Sequence, residues 1–305
     1  MNQFPEKFDA ITVTLNPAID RTLRISNFTP DSVNRVEGER SQPGGKGVNV
    51  ACALANHGLK VAVTGFLGRD NPELFVELFA KKQIADRFVR IQGETRTGIK
   101  ITDPVRGQTT DINFPGVKPS STDIESLDGQ LASLNAKWVV LAGSLPPGVD
   151  PAIFARLIRT LKQRGMRVAL DTSGEGLRQG IQAQPDLIKP NIHELEALLG
   201  QELTDLKAVV RAAGVLNSQG IELVVISMGK SGAVFARADE VIAVRPPEME
   251  VGSTVGAGDA MVAGIIAGHH LPLEECARLA TGFSLNLLTG GRTPAAIVER
   301  LSPLL

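Results

Sequence analysis

Cysteine is nearly missing from this chain: Cys52 and Cys276 are the two among 305 residues. Each lies in an apolar helical pattern, which excludes a secreted disulfide framework and points to two buried thiols in a reducing compartment. An excess of either charge is missing too. A formal net charge of −1 with 21% charged residues offers no polybasic surface to nucleic acid or to an anionic membrane. No apolar run approaches the roughly 20 residues that span a bilayer. The opening segment MNQFPEKFDA lacks the apolar stretch of a signal peptide and carries Pro5 and Glu6, so a soluble cytoplasmic protein is expected. Metal cages and nucleophilic triads are absent as well. His57, His193, His269 and His270 do not fall at zinc-ligand intervals, and no CxxC pair occurs.

What is present is an ordinary globular composition, 43% hydrophobic, long enough for a core that needs no staples. ITVTLN (Ile11 to Asn16) reads as a strand, followed by short alternating stretches around Arg21 to Ile25 and Val33 to Glu39. Val48 to His57 and Pro72 to Lys82 have helical spacing, with an apolar strand at Val61 to Phe66 between them. From Phe88 to Phe114 the runs FVRIQ, GIKIT and TTDINF alternate in polarity with no helix between them, which predicts a meander. Beyond residue 120 helices alternate with the apolar strands KWVVLAG, MRVALD, DLIKP and ELVVIS, and the last fifty residues look helical. The expected fold is one α/β domain over 1–305, with a central, mostly parallel sheet flanked by helices. A small antiparallel β lid would be built from insertions at about 20–40 and 88–115.

STVGAGDAMVAG, Ser253 to Gly264, opens a nearly all-apolar helix with two glycines and one carboxylate. Ser253 or Thr254 as a cap, with Asp259 complementing the dipole, explains part of it. Capping does not require Gly256 and Gly258, each costing about 1 kcal/mol inside a helix. An anion site at unpaired backbone N–H groups, with Asp259 beside it, is favoured. A dinucleotide fingerprint would need glycine at 261, where Met261 stands, and no GxxxxGK[ST] occurs. What remains suits phosphoryl transfer to a hydroxyl whose proton Asp259 accepts.

Three further stretches qualify. In QPGGKGVNVACAL, Gly44 and Gly45 let backbone approach a ligand, Lys46 adds a compact positive charge, and Asn49 can meet sugar hydroxyls. The same residues also read as a turn into an amphipathic helix. Asp20, just past the first strand, is by itself an ordinary turn or cap residue. In LIKPNIHELEALL, Asn191 and Glu194 have capping-box spacing, and Glu194 at a strand's C-terminal end could also order water around Mg²⁺. In VVISMGKSGAVF, Ser227, Gly229 and Gly232 mark a strand–turn–strand junction, most simply a hairpin.

PGGKGVNVA, AGSLPPGV, KPNIHELE and STVGAGDAMVAG occur in one order, and together they resemble the ribokinase-like (PfkB) sugar-kinase family from about residue 10 to 300. NPAID and TDINFPG are most similar to its branch of fructose-1-phosphate, fructose-6-phosphate and tagatose-6-phosphate kinases. The resemblance implies Asp259 as catalytic base and Gly256, Ala257 and Gly258 as its anion hole. It implies that Asp20, Gly45, Lys46, Asn49, Arg96 and Ser144 contact the sugar phosphate. On the nucleotide side it implies Lys189, Asn191, Glu194, Ser227, Gly229, Gly232 and Ser253, with Glu194 near the metal. ATP and Mg²⁺ are the implied cofactors, and a homodimer through the lid the implied assembly.

Some 6-phosphofructokinases of the family carry a second arginine before the PG of the meander, where this chain has Asp111-Ile-Asn-Phe-Pro-Gly. GGKG replaces the all-glycine form. Both departures match the fructose-1-phosphate branch, although tagatose-6-phosphate kinases also carry GGKG. The expected reaction is ATP-dependent conversion of fructose 1-phosphate to fructose 1,6-bisphosphate. The rivals are tagatose-6-phosphate or fructose-6-phosphate phosphorylation and, from another class, a catalytically weak sugar-phosphate sensor, which an intact Asp259 disfavours. The adenine pocket near Leu287 to Arg292 matches the family only loosely.

Overall fold

The computed structural model describes residues 6–238, 240–249, 255–291 and 295–301. The chain begins β1 (Lys7–Thr14), β2 (Ala18–Arg24), β3 (Gly38–Gly44), α1 (Lys46–Asn56), β4 (Val61–Gly68) and α2 (Glu73–Lys82). Then come β5 (Ala85–Asp86), β6 (Val89–Ile91), β7 (Thr97–Asp103), β8 (Gln108–Asn113), α3 (Ser121–Ser133) and β9 (Asn135–Ala142). The middle runs α4 (Ala152–Gln163), β10 (Arg167–Asp171), α5 (Gly174–Ile181), β11 (Leu187–Ile188), α6 (Ile192–Leu199) and α7 (Leu206–Ser218). It ends with β12 (Leu223–Ser227), β13 (Ala233–Arg237), β14 (Glu240–Arg245), α8 (Ala257–Gly268), α9 (Leu273–Thr289) and β15 (Ile297–Leu301).

Among the described residues, eleven strands form one sheet in the order β15-β14-β13-β12-β11-β10-β9-β1-β4-β5, with β6 also on β4. The pairs from β12 to β4 are parallel. The β12, β13, β14 and β15 edge is antiparallel. Strand alternation decides the layers. Ile11, Val139 and Leu141 join the core under α3 to α7, while Ala10, Trp138 and Val140 join the core under α1, α2, α8 and α9. Both faces are therefore apolar, which is why these strands read as continuous hydrophobic runs. β1 is followed by β4 on one side and later by β9 on the other. The order reverses there, and crevices form at the C-terminal ends of strands around such a reversal.

A second, four-stranded sheet has the order β3-β2-β7-β8. It is built from two separated stretches of chain, β2–β3 and β7–β8. Its outer pairs are antiparallel, and the β2–β7 pair that joins the insertions is parallel. The insertion boundaries differ from the expectation. FVRIQ lies along the main sheet, where Phe66 pairs with Val89, so the second insertion begins at Thr97. Residues 33–36 are not a strand, because the register Ala18↔Gly44 to Arg24↔Gly38 draws β3 into the glycine motif. Pro43 is tolerated there since β3 is an edge. The C-terminal region is not wholly helical: β15 closes against β14.

Asp103, 4% exposed, pins the far end of this sheet. Its carboxylate accepts backbone N–H groups of Asn27 (3.1 Å), Phe28 (2.9 Å), Val105 (3.0 Å) and Arg106 (3.1 Å). Asp103→Ala leaves four donors without that acceptor. Hydrogen exchange at Phe28 and Arg106 is expected to speed up about a hundredfold, equivalent to ~3 kcal/mol, while main-sheet amides keep their protection. Unchanged protection at both loops would show that Asp103 does not hold them.

Candidate active site

The C-terminal ends of β1, β9, β10, β11 and β12 face the start of α8 across a cleft of about 1090 Å³. Every residue expected at the site lines it, apart from Ser253, which lies outside the described residues.

α8 begins on Gly256, whose φ of 80° is the left-handed region open to glycine. The first helical hydrogen bond runs from the Ala260 N–H to the Gly256 carbonyl at 2.8 Å. The N–H groups of Ala257, Gly258 and Asp259 precede it, at the end of the helix where backbone donors have no partner within the helix. Ser284 Oγ donates to the Ala257 carbonyl at 2.7 Å and fixes this first turn to α9. A side chain at Gly258 would come within 3.2 Å of Lys189 Nζ. Glycine there lets a buried ammonium lie against the helix end.

Asp259, 6% exposed, accepts a hydrogen bond from Asn49 Nδ2 at 2.8 Å. Asn49 is presented by α1, which starts one residue after Gly45 at φ 117°. Burial, with Asp171's negative charge second, pushes the Asp259 carboxyl up to about 6, against the Asn49 hydrogen bond and the charges of Lys46 and Lys189. A group so placed is ionised at neutral pH yet closer in proton affinity to a useful base than an ordinary aspartate.

Asp171 is one of two residues that sequence reasoning missed. It ends β10 at 1% exposure, with Lys46 Nζ at 2.9 Å and Lys189 Nζ at 3.7 Å from Oδ1. Its Oδ2 has no hydrogen-bond partner among the described residues. The signal was an acid closing the apolar strand MRVALD, at the end where α/β ligands bind. Lys46 meets a geometry other than the one expected. Its ammonium lies on Asp171, with Glu194 Oε1 at 3.8 Å. Burial works against its charge, but Asp171 and Glu194 outweigh it and raise its proton affinity.

Glu194 serves two purposes at once. Oε2 accepts the Asn191 N–H at 2.8 Å while Asn191 Oδ1 accepts the Glu194 N–H at 2.9 Å, completing the capping box. Oε1 is left facing the cleft. Ser227 bridges to Asn191, Gly229 opens the tight turn to β13, and Gly232 packs on the Val244 carbonyl, which a side chain would strike. Val244, Pro246, Met261, Leu285 and Leu288 give this end of the cleft an apolar wall.

At the opposite end, Arg96 donates to the carbonyls of Asn16 (3.2 Å) and Phe114 (3.1 Å). Asn16, also missed, donates through Nδ2 to the Pro115 and Leu145 carbonyls and to Ser144 Oγ, at 3.1 to 3.3 Å. It ties the lid's return strand to the loop after β9. Asp20 reaches in from β2, its carboxyl raised by burial against the pull of Lys100 and Arg96.

Among the described residues no three His, Cys, Asp or Glu side chains gather as a metal cage, and no helix is long and apolar enough to cross a membrane. Mg²⁺ shared with phosphates needs only one or two carboxylates. Asp171, with its unpartnered Oδ2, and Glu194, whose Oε1 faces the cleft with Lys46 Nζ at 3.8 Å, fit that need.

The pfkB family carbohydrate kinase model matches residues 7–290. The chain is 48% identical to a 1-phosphofructokinase of Rhodobacter capsulatus over 282 residues, 91% of this chain and 89% of that one. It is 40% identical to a 1-phosphofructokinase of Escherichia coli K12 over 274 residues, 88% of each. The structure of Escherichia coli phosphofructokinase-2 in complex with fructose-6-phosphate superimposes with a TM-score of 0.87 at 29% identity, over 93% of this chain and 94% of that one.

The Asp259 environment generates a stability prediction. Its proton affinity is higher folded than the ordinary carboxylate value near 3.9, so ionisation opposes folding. That cost is absent below pH 4, grows between 4 and 6, and is complete above, at roughly 2–3 kcal/mol. Asp259→Asn should therefore raise the melting temperature by about 5 °C at pH 7.5 and hardly at all at pH 4. Equal shifts at both pH values in calorimetry would mean that the charge is not the source.

Proposed function

The chain belongs to the pfkB family of carbohydrate kinases, and we propose that it transfers the γ-phosphoryl group of ATP to fructose 1-phosphate, making fructose 1,6-bisphosphate in the cytoplasm. The observation that carries this reading is a buried, hydrogen-bonded Asp259 at a helix N-terminus, in one cleft with Asp20 and Arg96 at one end and an apolar wall at the other.

Asp259 orients the 6-hydroxyl of the acceptor and takes its proton as the new O–P bond forms and the bond from the γ-phosphorus to the ADP oxygen breaks. Proton transfer is late in a loose transition state, so a base of modest strength suffices. The N–H groups of Ala257, Gly258 and Asp259 and the Lys189 ammonium face the charge on the migrating group. Asn49 keeps the Asp259 carboxylate in register with both. Asp171 and Glu194 are the residues suited to hold Mg²⁺, which offsets phosphate charge. Asp20, Gly45, Arg96 and Ser144 serve the sugar phosphate. Asn191, Ser227, Gly229 and Gly232 border the nucleotide.

A homodimer joined lid to lid belongs to the same proposal. Val33, Val36, Ile112 and Phe114 of the lid are exposed, Val33 at 87%, and β8 is exposed along its whole length. A second copy laid on the lid would bury apolar surface there and protect the β8 edge. Sedimentation at micromolar concentration should give a dimer, and Phe114→Glu should give a monomer.

Asp259→Asn is expected to lower kcat by roughly 10²–10⁴ while nucleotide binding persists. A kcat/KM panel with fructose 1-phosphate, fructose 6-phosphate and tagatose 6-phosphate tests the acceptor. Preference for either 6-phosphate would overturn the assignment, and no ATP consumption with any of the three would favour a sensor.

A further inference from the structure

Lys46 occupies the first position of α1, where the helix dipole disfavours a cation. Two carboxylates compensate: Asp171 at 2.9 Å and Glu194 at 3.8 Å. They are also the pair suited to a divalent cation. The other ammonium on Asp171, Lys189, is 5% exposed, whereas Lys46 is 35% exposed on the cleft. One cation at this centre is buried and the other has solvent to move into.

We propose that the Lys46 ammonium is a displaceable counter-ion for Asp171 and Glu194, exchanged for the divalent cation that arrives with the nucleotide. This rests on the kinase reading above. Without metal, Lys46 neutralises carboxylates that would otherwise repel each other and the incoming triphosphate. Once metal takes them, the ammonium is released on a stem rooted between Gly45 and Asn49, beside the acceptor's hydroxyl. A tethered cation at the metal's own ligands must weaken metal binding by the free protein, and that loss is recovered when its charge is removed.

Mn²⁺ serves as the probe, its free concentration read by electron paramagnetic resonance with neither nucleotide nor sugar present. Lys46→Met, which keeps the stem, should bind Mn²⁺ at least about tenfold more tightly than the wild type, and Lys46→Arg should bind as weakly as the wild type. Adding Glu194→Gln to Lys46→Met should abolish the gain. Unchanged or weaker binding by Lys46→Met, or a gain that survives in the double variant, overturns the proposal. The wild type supplies a readout that needs no variant: acylation of Lys46, followed by mass spectrometry, should be slow in the free protein and accelerate several-fold with saturating Mn²⁺. Labelling indifferent to Mn²⁺ also overturns it. Neither measurement uses turnover or a sugar, so a wrong acceptor leaves both intact. Failure of the kinase reading would show instead as no ATP consumption beside a normal Mn²⁺ response.

Discussion

Three carboxylates, Asp171, Glu194 and Asp259, and two ammonium groups, Lys46 and Lys189, meet where the parallel strands end and α8 begins. Burying that much charge is unfavourable unless each group has a partner. Asp171, at 1% exposure, is the point on which the arrangement turns. It draws both lysines inward, and its own charge helps to keep the proton affinity of Asp259 high. Asp259 is the one carboxylate of the three with no ion-pair contact, held by an amide hydrogen bond instead. The difference in partners is what separates a group suited to charge neutralisation from one suited to accept a proton.

The scaffold supplies these positions from distant parts of the chain. Lys46 and Asn49 come from α1, Asp171 from β10, Lys189 and Glu194 from the β11–α6 junction, and Asp259 from α8. Parallel strands deliver their C-terminal ends to one side of the sheet, so residues 125 and 210 positions apart become hydrogen-bond partners. The lid contributes differently. Asp20 and Arg96 ride on or beside a sheet joined to the core through short connections and through the Asn16 amide. Buried groups at the helix end and a separate sheet beside them are the division that closure over a substrate requires.

Much of this was legible in the sequence because the governing signals are local. Near-continuous apolar strands alternating with helical periods state a parallel sheet with two covered faces, and the glycines around Ala257 state an exposed helix end. Capping-box spacing states the Asn191–Glu194 geometry, which the hydrogen bonds reproduce. What stayed hidden is long-range. The register that carries β3 to Gly44 is set by its pairing with β2, and FVRIQ joins the main sheet because β4 offers it an edge. β15 is a strand through β14 alone.

The side-chain direction of Lys46 belongs to the hidden class, and it shows why a motif under-determines chemistry. GGKG places an ammonium at the mouth of the cleft, within reach of either end. Which end it serves depends on the acid with which β10 terminates, over a hundred residues later in the chain. With an apolar residue at 171, Lys46 would have solvent, the acceptor and Glu194 as partners, and α1 would begin on a poorly compensated cation. With Asp171 present, the lysine is drawn to the carboxylates suited to Mg²⁺, and a sugar-side role requires that something release it. The identity of a residue 125 positions along the chain thus converts a fixed binding group into one whose position depends on what else is bound.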